Sequence, residues 1–436
     1  MTRARDVVVI GGGIIGASAA YHLAKGGLRV ALIEAKEIAA GASGACDGFV
    51  WLRSKPPGPV LDLARHSAAR FEALSDELDA DLHYRRRGGL VLIETQAQRA
   101  ALAAPLCHPD RPRHSERLVR RSCSEGGSEE SVSQPRHAPP HSLPPCGGGP
   151  GRGAPPCHSE RREESRLPAS EWLAADDLRR RFPFLSPRLL GAGLSPTDAT
   201  VDPLRATWAF ARAAQRLGAE VVAGEPATGI VLRRGRVQAV ETPRRRIACR
   251  AAVNCAGAWG GEVARLAGFD LPVTPRRGQL LVSEPLPPLI EQAMVCGCYL
   301  THKARPGNPA AGETLVSFSV EQTVEGNLLI GSTREFAGFD CGVTPEGIAA
   351  ITNHARRVAP GLADAHIIRS FAGLRPYTPD GLPFIGETQV GGFYAACGHE
   401  GDGIALAPAT GELIAALIAG DTPPLDPAPF SPTRQG

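Results

Sequence analysis

The chain has 436 residues, of which 43% are hydrophobic and 21% charged, enough apolar material for about two or three globular domains. Its 48 basic and 45 acidic residues leave a net charge of +3, which excludes the strong positive field typical of nucleic-acid-binding proteins. The absence of a run of about 18 apolar residues predicts no transmembrane helix, and eleven cysteines without a secretory pattern predict reduced thiols in the cytoplasm.

The N-terminal segment has the pattern of a dinucleotide-binding unit. A β-branched strand, Val7–Ile10, leads into the glycine-rich run 11–16, a short apolar helix and a second strand that ends at Glu34. Gly11 and Gly13 allow a tight turn and close approach to a pyrophosphate, and the third glycine of the motif allows close packing of the helix. Glu34 is placed to accept hydrogen bonds from a ribose, but this motif alone leaves NAD and FAD as alternatives.

Residues 105–168 differ from the rest of the chain. Of these 64 residues, 28 are Pro, Gly or Ser and none is aromatic, so the segment is predicted to be a disordered low-complexity insertion in a surface loop. It contains four cysteines and five histidines at irregular spacings, which do not predict a metal site.

Four further segments, 41–44, 253–259, 373–386 and 397–411, resemble the FAD-dependent amino-acid oxidase family, which includes D-amino-acid oxidase, glycine oxidase and sarcosine oxidase. The resemblance covers nearly all of the chain outside 105–168 and implies FAD as cofactor. The sequence motif at residues 399–403 is most similar to the corresponding motif in the dehydrogenase subunits of this family, namely those of opine oxidase, D-hydroxyproline dehydrogenase and hydrogen cyanide synthase. Some relatives bind flavin covalently through a histidine just after the first turn or a cysteine near Arg375. Neither is present, so we expect noncovalent FAD, with Cys46 as the alternative attachment point.

The resemblance also implies which residues contact the cofactor. They are Gly11, Gly13, Ile14, Ile15, Gly16, Glu34, Ala35, Ser43, Gly44, Val222, Ala256, Gly257, Trp259, Gly398, His399, Gly401, Asp402, Gly403 and Ile404. His399 is expected to be a structural residue beside the flavin and not a base.

Three residues are candidates for the substrate side. Arg375 is expected to bind an amino-acid carboxylate, with an interdomain salt bridge as the alternative. Tyr299, on a predicted strand, is expected to help hold that carboxylate, with a core aromatic as the alternative. Arg334 stands where glycine oxidase has an apolar residue facing the substrate; pointing inward it would favour a second carboxylate, although strand-end arginines are commonly exposed. The nearby Cys296 and Cys298 are expected to be unpaired core cysteines.

These patterns predict an α/β fold with a Rossmann-like FAD-binding domain and a substrate domain built on a mixed or antiparallel sheet with helices. The FAD-binding domain is assigned to residues 1–80, 198–268 and 366–421, and the substrate domain to residues 81–104, 169–197 and 269–365. Strands of the second domain are predicted near 89–94, 279–283, 314–320 and 327–332.

The expected function is oxidation of the CH–NH bond of an amino acid or secondary amine. The alternatives are a flavin dehydrogenase of a hydroxy acid or polyol phosphate and a non-catalytic flavoprotein subunit of a larger assembly. The resemblance implies a small-molecule substrate and, through the dehydrogenase subunits, an electron-accepting partner subunit, in a homo- or hetero-oligomer. Such a partner could place the protein at the periphery of the inner membrane.

Overall fold

The structure, a computed structural model, describes residues 4–103, 171–304 and 313–434. Its helices are α1 (Ile14–Lys25), α2 (Pro59–Glu77), α3 (Gln96–Ala103), α4 (Ala175–Arg181), α5 (Pro203–Arg216), α6 (Gly260–Leu266), α7 (Gly297–Ala304), α8 (Pro345–Val358) and α9 (Gly403–Ala419). Its strands are β1 (Val7–Ile10), β2 (Val30–Ile33), β3 (Phe49–Val50), β4 (Gly89–Ile93), β5 (Glu171–Ala174), β6 (Gly191–Ser195), β7 (Ala199–Thr200), β8 (Glu220–Val222), β9 (Gly229–Arg233), β10 (Arg236–Glu241), β11 (Arg246–Ala248), β12 (Ala251–Asn254), β13 (Thr274–Pro285), β14 (Ala293–Cys296), β15 (Leu315–Gln322), β16 (Asn327–Arg334), β17 (Ile367–Tyr377), β18 (Phe384–Glu387) and β19 (Phe393–Cys397). The predicted insertion 105–168 lies outside the described residues.

A six-stranded sheet is built around the first strand of the chain. Its order is β18-β19-β12-β1-β2-β8, and all its pairs are parallel except the edge pair β18–β19. Every residue of β1 and β2 is buried, as expected for parallel strands covered on both faces. The α/β class predicted from the sequence is confirmed.

Helix α1 packs against α5 and α9 beside this sheet. Helix α5 begins at a helix-start pattern of the sequence, in which the Asp202 carboxylate accepts the N–H of Arg205 at 2.9 Å and Pro203 occupies the first turn. These contacts hold the glycine-rich start of α1 at the carboxyl edge of the sheet, where parallel α/β folds bind ligands.

An eight-stranded sheet forms the second layer, in the order β17-β13-β16-β15-β14-β4-β6-β5. It is antiparallel except for the β14–β4 pair, and a large apolar cluster is buried between it and helices that include α8. The strands predicted near 89–94, 279–283, 314–320 and 327–332 are all present. Strand β17, assigned by sequence to the FAD-binding domain, pairs instead along β13 at the edge of this larger sheet.

The segment after β14 differs from its prediction. Tyr299 lies in helix α7 and not in a strand, because only Ala293–Cys296 is extended. Cys296 and Cys298, expected to be unpaired, form a disulfide, since the turn from strand to helix brings their Cα atoms to 5.3 Å. His354 Nε2 lies 3.9 Å from the Cys298 sulfur.

One stretch among the described residues, Glu400–Ala419, is long and apolar enough to cross a membrane, which the sequence reading did not anticipate. This stretch contains α9, and 56% of its most apolar part is buried inside the protein. Helix α9 packs against α1 and α2, so its apolar character is accounted for by its place in the core.

Candidate active site

The turn between β1 and α1 accepts only glycine at two positions. Gly11 has a φ of +112°, and a Cβ there would lie 2.5 Å from the backbone oxygen of Cys255. A Cβ on Gly16 would collide with the backbone oxygen of Gly11. The two glycines therefore bring β1, α1 and the end of β12 into direct backbone contact and leave the turn open to a ligand.

Two side chains fix the geometry around the start of α1. The Ser43 hydroxyl accepts the N–H of Ile14 at 2.9 Å. The Glu34 carboxylate, at the end of β2, accepts the N–H of Gly12 at 2.6 Å and that of Lys36 at 2.8 Å. Because each carboxylate oxygen has two lone pairs, Glu34 keeps acceptor capacity for hydroxyl groups of a ligand.

A cavity of about 850 Å³ opens beside this turn, which is within the range of small-molecule sites. Most of the residues predicted to contact FAD line it: Gly11, Gly13, Ile14, Ile15, Glu34, Ala35, Ser43, Ala256, Gly257, Trp259, His399, Gly401, Gly403 and Ile404. Arg375 and Tyr299 line the same cavity. Residues from 11 to 404 in the sequence thus converge on one space.

Some predicted contact residues, including Gly16, support the wall without lining it. A Cβ on Gly44 would collide with the backbone oxygen of Ala39. Gly398 has a φ of +83°, and a Cβ there would lie 2.5 Å from Thr378 Cγ2. These glycines shape the turns that carry the lining residues.

Val222 and Asp402 also stand behind the wall. The Val222 carbonyl accepts the N–H of Glu34 at 2.9 Å, and Ala227 lines the cavity in this region. Asp402 forms an ion pair of 3.0 Å with the buried Nζ of Lys55. Both residues therefore act on the cavity by positioning their neighbours.

An aromatic pair lines the cavity near α6. The ring of Trp259 stacks on that of Phe339, with centroids 5.5 Å apart and planes inclined by 25°. Sequence reasoning missed Phe339 because it lies in the loop before α8, where no motif or periodicity marks it. The contact between the two rings forms only because the two layers of the fold pack against each other.

His399 is buried, and its Nε2 lies 3.1 Å from the Thr410 hydroxyl. Burial lowers the pKa of the ring to about 3. The imidazole is therefore neutral near pH 7 and a weak proton acceptor, which fits a structural residue better than a catalytic base.

At the far end of the cavity, Arg375 lies on β17 and is partly buried. Its guanidinium donates to the Thr333 carbonyl at 3.0 Å and to the Ser332 hydroxyl at 3.2 Å. Burial, followed by the charge of Arg334, lowers its pKa to about 10, so it stays cationic. Among the described residues it has no ion-pair partner within 4 Å, which argues against the salt-bridge alternative.

Arg334 points into the protein and not into solvent. The residue is 1% exposed, and its guanidinium carbon lies 4.6 Å from the centre of the Tyr299 ring. The alternative of an exposed strand-end arginine is therefore wrong. Burial raises the pKa of Tyr299, whose hydroxyl remains a protonated donor at neutral pH.

A third arginine in this region, Arg276, carries no sequence motif and was not predicted. It lies opposite Arg375 in the β13–β17 register, forms an ion pair with Glu400 and stacks 4.9 Å from the Tyr377 ring centre. Burial, then the charges of Arg334 and Arg375, lowers its pKa to about 9. Arg375 thus lines the cavity, and two further arginines, Arg276 and Arg334, lie close behind it.

Cys46 lines the cavity close to Arg375. Burial raises the pKa of its thiol well above the ordinary value, so the nucleophilic thiolate is scarce. Behind it, Glu321 accepts the N–H of Gly48 at 2.9 Å, and burial raises the pKa of this carboxyl to about 8. A neutral thiol and a largely protonated carboxyl do not offset the positive charge of the arginines.

The residues present fit FAD. The glycine turn leaves exposed backbone where a Cβ would close the space, which suits a pyrophosphate at a helix N-terminus. The wall is mixed apolar and polar; Glu34 belongs to the part formed around the β1–α1 turn, and Arg375 belongs to the part formed by β17.

Comparisons with known proteins agree with this geometry. A family model described as FAD dependent oxidoreductase matches residues 6–417. The hydrogen cyanide synthase subunit HcnC of Pseudomonas aeruginosa is 30% identical over 449 residues, covering 100% of this chain and 97% of that protein. Glycine oxidase of Bacillus licheniformis is 28% identical, covering 97% of this chain and 95% of that protein.

The fold is likewise similar to that of a solved relative. The crystal structure of glycine oxidase from Geobacillus kaustophilus superimposes with a TM-score of 0.78 at 25% identity, and each chain covers 100% of the other.

Proposed function

Because the chain belongs to the FAD-dependent oxidoreductase family and is thus an enzyme, we propose that it oxidises the CH–NH bond of an amino acid or secondary amine. The observation that carries this proposal is Arg375, a guanidinium without an ion-pair partner among the described residues, held at the cavity wall by Thr333 and Ser332. A substrate carboxylate would supply the missing anion.

The geometry explains why arginine suits this position. A guanidinium binds a carboxylate through two parallel hydrogen bonds and so fixes the direction of the rest of the substrate. The two hydrogen bonds from Arg375 to the strand keep the side chain from swinging away. Tyr299, protonated and on the same wall, offers a hydroxyl donor to the same carboxylate.

FAD is the cofactor implied by the family, and when bound it supplies a two-electron acceptor for the hydride that leaves the substrate carbon. We propose that it is bound noncovalently. This is supported by Cys46, whose raised pKa keeps the thiol in the unreactive protonated form. Glu34 and the glycine turn would hold the dinucleotide part, and the segment 399–404 would face the ring system.

The protein contributes orientation and electrostatics more than proton transfer. His399 is neutral and a weak base, and the cationic arginines favour the carboxylate and disfavour binding of a second positive charge. The site therefore selects an amine carried next to a carboxylate and holds its carbon in one direction. Hydrolysis of the imine product needs only water.

The electron acceptor and the location of the protein belong to the same proposal. The 30% identical relative is named as a subunit, which supports an electron-accepting partner chain over direct use of oxygen. We propose a cytoplasmic enzyme that meets this partner through its surface.

Anaerobic bleaching of the flavin absorbance tests the proposed function. We expect glycine, sarcosine, D-amino acids, D-hydroxyproline or opines to bleach the band of the purified holoenzyme. Glycolate and glycerol 3-phosphate, which have a hydroxyl where the amines have nitrogen, should leave it unchanged. Bleaching by these alcohols and not by amines would refute the proposal. Reoxidation on admission of air then distinguishes an oxidase from a dehydrogenase.

A further inference from the structure

The guanidinium of Arg334 is buried without adequate partners. Its Nε and Nη1 atoms have no hydrogen-bond acceptor among the described residues, and the residue is 1% exposed. Its guanidinium contacts the face of the Tyr299 ring. Burying a charge costs free energy unless the charge is paired and hydrogen bonded. The buried guanidinium of Arg334 therefore needs an anion that would offset this cost.

The neighbouring charges increase this need. Arg276 and Arg375 are both close enough to Arg334 that its charge lowers their pKa values, which means that three cations repel one another. Each of the other two has partners of its own: Glu400 for Arg276, and a carbonyl and a hydroxyl for Arg375. Among the described residues, Arg334 leaves two buried nitrogens without an acceptor, Nε and Nη1, whereas Arg276 leaves only its Nε.

Asp47 lines the cavity and acts on Arg375 through its charge, but no carboxylate of the described residues lies within 4 Å of an Arg334 nitrogen. Three other nearby carboxylates are engaged elsewhere. Glu400 pairs with Arg276, Asp402 pairs with Lys55, and Glu335 pairs with Arg277. The protein therefore leaves the donors of Arg334 to a group that arrives from outside. Arg334 does not itself line the cavity, but it lies against Tyr299 and close enough to Arg375 to lower its pKa, and both of those residues line the wall.

We propose that Arg334 binds a second carboxylate of the substrate, so that the enzyme acts on dicarboxylic amino or imino acids. This rests on the proposed function, in which Arg375 binds the first carboxylate. The reacting CH–NH group then lies between two guanidinium groups. A monocarboxylic substrate leaves Arg334 unpaired and forfeits one charge-assisted interaction.

Binding of unreactive acids tests this subsite without turnover. Succinate and butyrate have the same carbon skeleton length, but butyrate has a methyl group in place of the second carboxylate. We expect succinate to bind the wild-type holoenzyme at least about tenfold more tightly, measured by perturbation of the flavin spectrum. Equal affinity for the two acids would overturn the proposal, and this comparison needs no variant.

Variants assign the preference to Arg334. Arg334→Met replaces the guanidinium by a shorter, uncharged, unbranched side chain and should reduce succinate affinity about tenfold or more while changing butyrate affinity less than about threefold. Arg334→Lys should retain part of the preference. The control is Arg357→Met on α8, an arginine 61% exposed that pairs with Glu94 and should leave both affinities unchanged. Equal losses for both acids in Arg334→Met would contradict the subsite.

Two oxidisable amines that differ by one carboxylate distinguish this proposal from the proposed function. N-(Carboxymethyl)glycine and N-ethylglycine differ by the same exchange of carboxylate for methyl. Faster anaerobic bleaching by the dicarboxylate, lost in Arg334→Met, supports both proposals. Bleaching by both amines at similar rates overturns the second subsite and keeps amine oxidation. Failure of every amine to bleach the flavin, with succinate still preferred over butyrate, overturns amine oxidation and keeps the subsite.

Discussion

The two ends of the cavity recognise their ligands by different means. At the β1–α1 end, the wall is glycine backbone and the N-terminus of a helix, with Glu34 and Ser43 fixing the turn. At the β13–β17 end, Arg375 lines the wall, and Arg276 and Arg334 lie close behind it on separate strands. Recognition of a ligand by backbone requires small residues at fixed spacing along the chain. Recognition by side chains requires only that the strands carrying those side chains lie next to each other in the folded protein.

The glycine turn and the arginine cluster also differ in how they tolerate substitution. The glycine turn tolerates little change, since a Cβ on Gly11 or Gly16 would collide with backbone atoms. An arginine cluster can lose one member and still fold, but it loses a particular contact with the ligand. Substitutions at the first end should therefore affect holoenzyme formation, and those at the second end should affect substrate selection.

The largest effect is expected for Gly16→Ala. The added Cβ would collide with the backbone oxygen of Gly11 and displace α1 from the turn, so the purified protein should contain at least about tenfold less flavin per chain. The control is Gly26→Ala at the other end of the helix, where φ is −74° and the nearest atom to a Cβ is at 3.4 Å. A normal flavin content in Gly16→Ala would show that the turn is less rigid than its geometry indicates.

The next effect is expected for Arg375→Lys. Lysine keeps the charge but loses the planar pair of donors, so kcat/KM for amino acids should fall by about 100-fold while flavin content stays normal. The same exchange at Arg357, in an exposed ion pair with Glu94, should change kcat/KM by less than about twofold. A loss of flavin in Arg375→Lys, with normal turnover per bound flavin, would break the proposed division between the two ends.

The smallest effect concerns the packing of α1 behind the nucleotide end. Burial lowers the pKa of His22 to about 4, although the charges of Glu412 and Glu77 act in the opposite direction. The stability gained from the neutral ring is complete above the ordinary pKa of 6.5 and is lost as the pH falls towards 4. His22→Leu should therefore flatten the decline of Tm between about pH 7 and pH 4.

The matched control for this measurement is His366→Leu. His366 is exposed, and a hydrogen bond to Glu284 raises its pKa, so its contribution is present at low pH and lost as the pH rises. Removing it should leave the acid decline as steep as in the wild type. Parallel profiles for His22→Leu and wild type would indicate that other groups dominate acid unfolding.

The sequence by itself determined the nucleotide end. The order of strand, glycine turn, helix, strand and acid is set by residues that are close in sequence. Each residue type in it satisfies a steric or hydrogen-bonding requirement of its immediate neighbours. The start of α5 at Asp202 and four of the eight strands of the larger sheet were predictable for the same reason, because capping and alternation act over a few residues.

Only the tertiary structure decided the substrate end. The pairing of β17 with β13 sets Arg276 opposite Arg375, and β16 delivers Arg334 beside Tyr299, although these residues lie far apart in sequence. The helical turn that replaces a predicted strand at Tyr299 and joins Cys296 to Cys298 also depends on where β14 stops. Burial of a charge is a property of the packed fold, since no local pattern in a single sequence shows which arginine water will reach.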